Sequence, residues 1–267
     1  EKARVYNGRG YFHFFNEHFP QALEYYRKAL PLLEKSSQYE ELCTTLVNIA
    51  FTYLFCYRFD ECVHYLEETL KIMNFLNMND LPFHPRFFIY CILGLAYIKK
   101  RQTSKALEIV NRIHTNQRVT MIPRHEYYKF LLAEIERADG NIRAAARFYE
   151  NAISSAKEIE AEAKHIRLFC FYEYGSMLKE AGRFEEAKEV FTRARAEIKG
   201  SANRFHFELI SAALEGKDSP AMPDLPFTPF DSSLPIHFVK LDATINRLHR
   251  KMMEMDFLNS LQTVIAS

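Results

Sequence analysis

Thiols, imidazoles and one short glycine motif are the groups in this chain whose chemistry could reach beyond packing. There are five cysteines, Cys43, Cys56, Cys62, Cys91 and Cys170. The count is odd and no C-x-x-C occurs, so neither a disulfide framework nor a thiolate metal knuckle is expected. Cys56 and Cys62 stand six residues apart, on different faces of a helix, where they cannot share an ion. A nucleophilic thiolate would need a neighbouring imidazole and an electropositive setting. All five instead sit among apolar neighbours and read as small core residues of a reduced chain. His13, His18 and His84 lack a second ligand at metal spacing. Gly8-Arg9-Gly10 is a bare G-x-G inside a helical pattern, without the loop that cradles phosphate. A basic stretch, Arg112, His114, Arg118, Arg124 and His125, falls around a connector between helical segments. Lys plus Arg is 35 against 34 for Asp plus Glu, so no net field draws nucleic acid to it, and a solvated connector is expected. These residues are expected to hold no catalytic group, cofactor or metal.

What remains must be positioned by helices. Only 8 glycines occur, while hydrophobic residues make up 48%, including 23 Phe and 15 Tyr but no Trp. That is ample core material and speaks against disorder and against a turn-rich β fold. No signal peptide stands at the start, and no apolar run reaches the ~18 residues a membrane span needs, so a cytoplasmic chain with no membrane partner is expected. The chain opens at Glu1 without a methionine and closes inside an apolar helical pattern. It reads as a piece of a longer polypeptide.

A five-fold echo organises the first two hundred residues. A small residue stands at Gly10, Ala50, Gly94, Ala133 and Gly175. Twelve residues later come Ala22, Cys62, Ala106, Ala145 and Ala187, spaced 40, 44, 39 and 42 residues apart. Large residues follow four positions on at Tyr26, Leu66, Val110, Tyr149 and Phe191. Small residues at a crossing let two antiparallel helices approach, and large ones one turn away fill the seam. Turn residues separate the helices at Ala138-Asp139-Gly140-Asn141 and Ala181-Gly182-Arg183. On these residues the chain resembles the tetratricopeptide repeat (TPR) family over roughly residues 3–200. It departs from the family pattern in lacking the early tryptophan, in carrying His13 and Glu136 where tyrosine is usual, and in lacking the proline after the second helix. The long units resemble those of bacterial regulators that sense peptides or proteins. The resemblance implies an all-α, right-handed superhelical solenoid of about five helix pairs.

Three segments are expected: a solenoid over 1–216 with residues 204–215 as its capping helix, a proline-rich strap or linker over 217–237, and a helix over 238–267. Pro220, Pro223, Pro226, Pro229 and Pro235 favour extended backbone. The interleaved Leu225, Phe227, Phe230 and Leu234 favour a strap, because a free linker has no use for them. In the last segment Leu241, Ile245, Leu248, Met252 and Met255 step by 4, 3, 4 and 3 residues. That is a heptad seam, suited to homodimerisation or to packing on the solenoid itself. The tail after Met255 also resembles the helix that leads into the output domain of bacterial signalling proteins.

In the TPR family the inner wall is made by the first helix of each pair. Carried onto this chain, the resemblance implies a concave binding wall of Tyr11, Phe14 and Phe15 from the first unit and Phe51 and Phe55 from the second. Phe88 and Leu95 follow from the third, Tyr127, Phe130 and Arg137 from the fourth, and Tyr172 and Lys179 from the fifth. Asn7 and Asn48 are candidates for hydrogen bonds to the backbone of an extended ligand, as in peptide-sensing relatives. The same stripe also fits plain packing between units, and the asparagines fit a contact between helices. The reading is a non-catalytic module that binds a protein or peptide and passes the event through its last helix. A passive scaffold, or a module that inhibits an attached enzyme or regulator, are the alternatives.

Overall fold

The computed structural model describes residues 1–76, 78, 85–115, 125–158, 164–198 and 204–230. Among them are eleven helices and no strand. They are α1 (Lys2–Phe15), α2 (Phe19–Lys35), α3 (Tyr39–Phe55), α4 (Phe59–Phe75), α5 (Pro85–Lys99) and α6 (Thr103–Thr115). Then come α7 (His125–Ala138), α8 (Ile142–Glu158), α9 (Lys164–Glu180), α10 (Phe184–Ile198) and α11 (Arg204–Glu215). Each odd-numbered helix packs on the even one that follows it, and successive pairs stack; α11 lies against α9 and α10. The architecture is an all-α superhelical repeat of five helix pairs and one further helix.

The crossing positions work as the spacing requires. Ala22, Cys62, Ala106, Ala145 and Ala187 are all buried. At the facing position Gly10 lies under Tyr26, and Gly175 lies under Phe191. A Cβ at Gly175 would fall 2.5 Å from two ring carbons of Phe191, a side chain only 1% exposed. Gly8, two residues from Gly10, has nothing within 4 Å of an added Cβ. These two sites make a matched test. Gly175→Ala is expected to destabilise by about 1–2 kcal/mol, overpacking outweighing the helical preference of alanine. Gly8→Ala is expected to stabilise by about 0.5–1 kcal/mol. Urea midpoints of the two variants check both signs.

The turn inside every pair has one geometry. Five residues before each alanine-type position the backbone is left-handed, with φ of 57° at Glu17, 58° at Tyr57, 60° at Arg101, 79° at Gly140 and 73° at Gly182. The next amide donates to a carbonyl five residues back, from His18 to His13, Arg58 to Tyr53, Gln102 to Tyr97, Asn141 to Glu136 and Arg183 to Leu178, at 2.8–2.9 Å. This is the Schellman closure, and it satisfies carbonyls that the helix end leaves open. Glycine takes the left-handed conformation freely, whereas other residues pay roughly 1–2 kcal/mol. The fourth and fifth units use glycine there. The first three carry Glu, Tyr and Arg, which places a side chain at a position where glycine would have none.

Residues 217–230 run without regular structure across α2, α3 and α4. Tyr53 donates its hydroxyl to the Pro226 carbonyl at 2.9 Å, and Arg27 donates to the same oxygen. Arg58 reaches the Leu225 carbonyl at 3.2 Å, and Tyr65 donates to Thr228 at 2.6 Å. The Phe230 amide donates to His64 Nε2 at 3.2 Å. The Phe227 ring stands edge-on to Tyr53, His64 and Tyr65, and Leu225 is buried. Burial pushes the Tyr65 phenol up to about 12, so it stays protonated and donating. Proline cannot donate but its carbonyl still accepts, which is why donors line the solenoid side. Replacing Tyr53 and Tyr65 together by Phe removes two of these bonds at about 1 kcal/mol each. Faster proteolysis within 217–230, with the helical core intact, is the expected readout. The proposed seam of Leu241, Ile245, Leu248, Met252 and Met255 lies outside the described residues.

Candidate binding wall and the buried contacts behind it

The first helices bring the aromatic residues of the inner wall together. Phe51 of α3 stacks on Phe88 of α5 at 4.8 Å between centroids, and Tyr127 of α7 meets Phe88 edge-on at 4.7 Å. On α1, Tyr11 and Phe15 pair at 4.4 Å. The wall then divides by exposure. Tyr11 is 42% exposed and Lys179 is exposed, while Phe15, Phe88, Tyr172, Asn7, Asn48 and Arg137 are half-buried. Phe14, Phe51, Phe55, Leu95, Tyr127 and Phe130 are buried. Asn48 donates its side-chain amide to Asn7 Oδ1 at 3.3 Å, a bond between α3 and α1.

Three of these buried residues, Phe14, Phe55 and Phe130, are in contact with α9, which packs on the earlier first helices. Phe169 of α9 lies 5.4 Å from Phe55, 5.4 Å from Phe130 and 5.2 Å from Tyr57 at the α3–α4 turn. His165 of α9 packs on Phe14 and Phe15 of α1. The fifth unit thus touches the first, second and fourth. Tyr57 makes this contact from its left-handed turn position, and so does Glu17.

At one end of the wall three first helices meet through buried charge. Lys99 of α5 bonds Glu173 of α9 and reaches Glu134 of α7 at 2.8 Å. Arg137 of α7 donates to Glu173 at 2.8 Å and, through its other terminal nitrogen, to both Glu180 oxygens at 2.8 Å. Tyr149 of α8 donates to Glu134 at 2.6 Å. Burial pushes the Glu173 carboxyl up, but the charges of Lys99 and Arg137 and their hydrogen bonds outweigh it and hold it below the usual carboxylate value. Burial lowers the Lys99 ammonium while Glu134 and Glu173 raise it, with a net upward shift. Burial, and then the charge of Glu173, push the Tyr57 phenol well above its ordinary value. This is a structural ion network with every charge answered, not an acid–base pair facing solvent.

A second buried polar group joins the two ends of the chain. Glu17 accepts the His206 amide at 3.2 Å and meets His206 Nδ1 through its other oxygen. His165 Nδ1 stands 3.9 Å from that same oxygen. None of the three was legible from spacing, because Glu17 and His206 are 189 residues apart. Glu173 did leave a trace, as the one carboxylate inside the aromatic run Phe169–Tyr174, which demands a cation. The five cysteines are all free and buried. Burial pushes the Cys43 thiol up to about 12, consistent with core residues rather than nucleophiles. No helix among the described residues is long and apolar enough to cross a membrane.

No protein-family model matches the sequence, and no match is found among curated proteins. Among solved structures the chain is similar to a Rap protein complexed with competence and sporulation factor, at 16% identity and a TM-score of 0.61. The match covers 80% of this chain and 62% of that one, so the chain spans less than two thirds of that protein. This is a TPR-like helical repeat domain. A Podosopora anserina putative kinesin light chain with TPR-like repeats is 21% identical, with a TM-score of 0.44 over 75% of this chain and 96% of that one. BtubC from P. vanneervenii is 17% identical, with a TM-score of 0.44 over 84% of this chain and 85% of that one. At 16% identity the likeness to the Rap protein is one of fold. The TPR-like domain described above differs from an open stack in one respect, which is the return of α9 onto α1 and α3.

Proposed function

We propose that this chain is a non-catalytic TPR module that binds a protein or peptide along its inner wall, as the sensory part of a larger cytoplasmic signalling protein. The observation that carries the reading is the strip formed by Tyr11, Phe15 and Phe88 with the Asn7–Asn48 pair. It combines aromatic surface, exposed or half-buried, with amide groups that can turn to a ligand backbone. Apolar grooves with a few polar groups are how helical repeats take extended or helical segments. The similar Rap protein was solved in complex with competence and sporulation factor, which supports looking for a bound partner here. A peptide-array screen with the full chain tests it. Binders should lose at least about tenfold in affinity with Tyr11→Ala or Asn48→Ala at unchanged Tm, about 1.4 kcal/mol. Binders indifferent to both substitutions overturn the assignment.

For transmission, we propose the strap as the coupling element. Its bonds to Arg27, Tyr53 and Tyr65 hold Pro226 and Thr228 on the first two units, and so set the point of departure for the chain that follows. A ligand that shifts α1 against α3 would then alter that departure point. If the segment after 238 dimerises, Leu248→Glu with Met252→Glu should turn a sedimenting dimer into a monomer. A wild type that is monomeric at all concentrations overturns the dimer and leaves the passive scaffold.

A further inference from the structure

We propose that Glu17, His165 and His206 form a binding site for one divalent transition-metal ion of the zinc class, which clasps the first unit to the last. The three side chains come from the α1–α2 turn, α9 and α11, and all are buried. Their ligand atoms lie within 4.8 Å of one another. A tetrahedral ion with bonds of ~2.1 Å spaces its ligand atoms ~3.4 Å apart, so small side-chain adjustments complete the site.

The chemistry of the contact argues for an ion. An imidazole nitrogen this close to a carboxylate oxygen needs something between the two lone pairs, either the ring's own N–H hydrogen or a metal ion. A proton joins Glu17 to His206 alone, since His165 Nδ1 at 3.9 Å is beyond hydrogen-bond reach. A metal ion engages all three. His206 Nε2 is buried and makes no hydrogen bond, so no other partner fixes the tautomer, and a proton carried there leaves Nδ1 as a lone pair. Two imidazoles and one carboxylate are a zinc donor set, with the fourth position left to water or to the second Glu17 oxygen. The backbone bond from His206 to Glu17 Oε2 already orients that carboxylate, as groups around metal ligands do. The left-handed φ of 57° at Glu17, shared with the other four turns, is the conformation that turns its side chain to this position.

Cobalt is the probe. The full chain, stripped with a chelator, is titrated with Co²⁺ and followed by visible ligand-field absorption. Saturation at one ion per chain, bleaching by Zn²⁺ and a rise in Tm are expected. Separately, ¹⁵N spectra of the wild type should show two of its 10 histidines shifting with Zn²⁺. Glu17→Gln and His165→Gln should each weaken Co²⁺ binding at least about a hundredfold, while Cys56→Ser leaves it unchanged. If the variants fail to fold, the wild-type absorption and histidine shifts still decide. A wild type that stays colourless, or colour that survives in folded His165→Gln, overturns the site and leaves a proton-bridged Glu–His pair.

Discussion

Glu173→Ala in the full chain is expected to cost about 3–5 kcal/mol of stability, because it leaves two buried cations facing a single buried carboxylate, Glu134. Lys99 and Arg137 are 14% and 17% exposed at the side chain and both lean on Glu173. Truncating it leaves Lys99 with Glu134, and Arg137 with Glu134 at 3.8 Å and the exposed Glu180. Adding Lys99→Met to the same chain should return part of the loss, since removing both members of a buried pair costs less than removing one. Additive losses in that double variant would mean the pair is not coupled. The pH dependence has a definite sign at each end. Glu173 has a lowered pKa, so its contribution is complete above the ordinary carboxylate range and is lost as pH falls through the lowered value. Lys99 has a raised pKa, so its contribution is complete below the ordinary lysine range and is lost as pH rises through the raised value. Urea midpoints across pH should be flat near neutrality and fall on both sides. Glu173→Ala should remove its share of the acid limb.

Phe169→Ala is expected to destabilise by about 3–5 kcal/mol, and to change the form of the transition as well. A solenoid is ordinarily held by contacts between neighbouring units, and its stability is close to a sum over them. Phe169 breaks that rule by touching Phe55 and Tyr57 of the second unit as well as Phe130 of its neighbour. Its ring ties the fifth unit to the second and fourth. The wild type should therefore melt in one step, and Phe169→Ala in two, with the first pairs separating from the last. Denaturation followed by calorimetry and by tyrosine fluorescence checks this. A single coincident transition in the variant would show that neighbour contacts suffice.

The repeat was legible because it is local. Gly10, Ala50, Gly94, Ala133 and Gly175, with their partners twelve residues on, encode helix pairs through contacts within about forty residues. Gly140 and Gly182 also marked their turns. The equivalent turns at Glu17, Tyr57 and Arg101 carry no such mark, and at the first two the side chain in the left-handed position reaches α9 or α11. The return of α9 was illegible for a related reason. Phe169 read as a concave-wall position of the fifth unit and His165 as an ordinary one, and only the cumulative rotation of four preceding units decides what they meet. Phe55 and Phe130 fitted both a wall and a core; both are buried, each with the Phe169 ring of α9 against it. The lone carboxylate at Glu173 could have warned that α9 meets cations from elsewhere.

The turn at Glu17 also sets a count. An open solenoid can be lengthened by copying a unit, since each new pair needs only its neighbours. Here Glu17 meets residues of α9 and α11, and that meeting holds only when the intervening pairs add up to one particular rotation. A duplicated unit would carry α9 past its mark, and a deleted one would stop it short. The number of repeats is thus a dimension of this molecule, fixed by its own geometry as the circumference of a ring is.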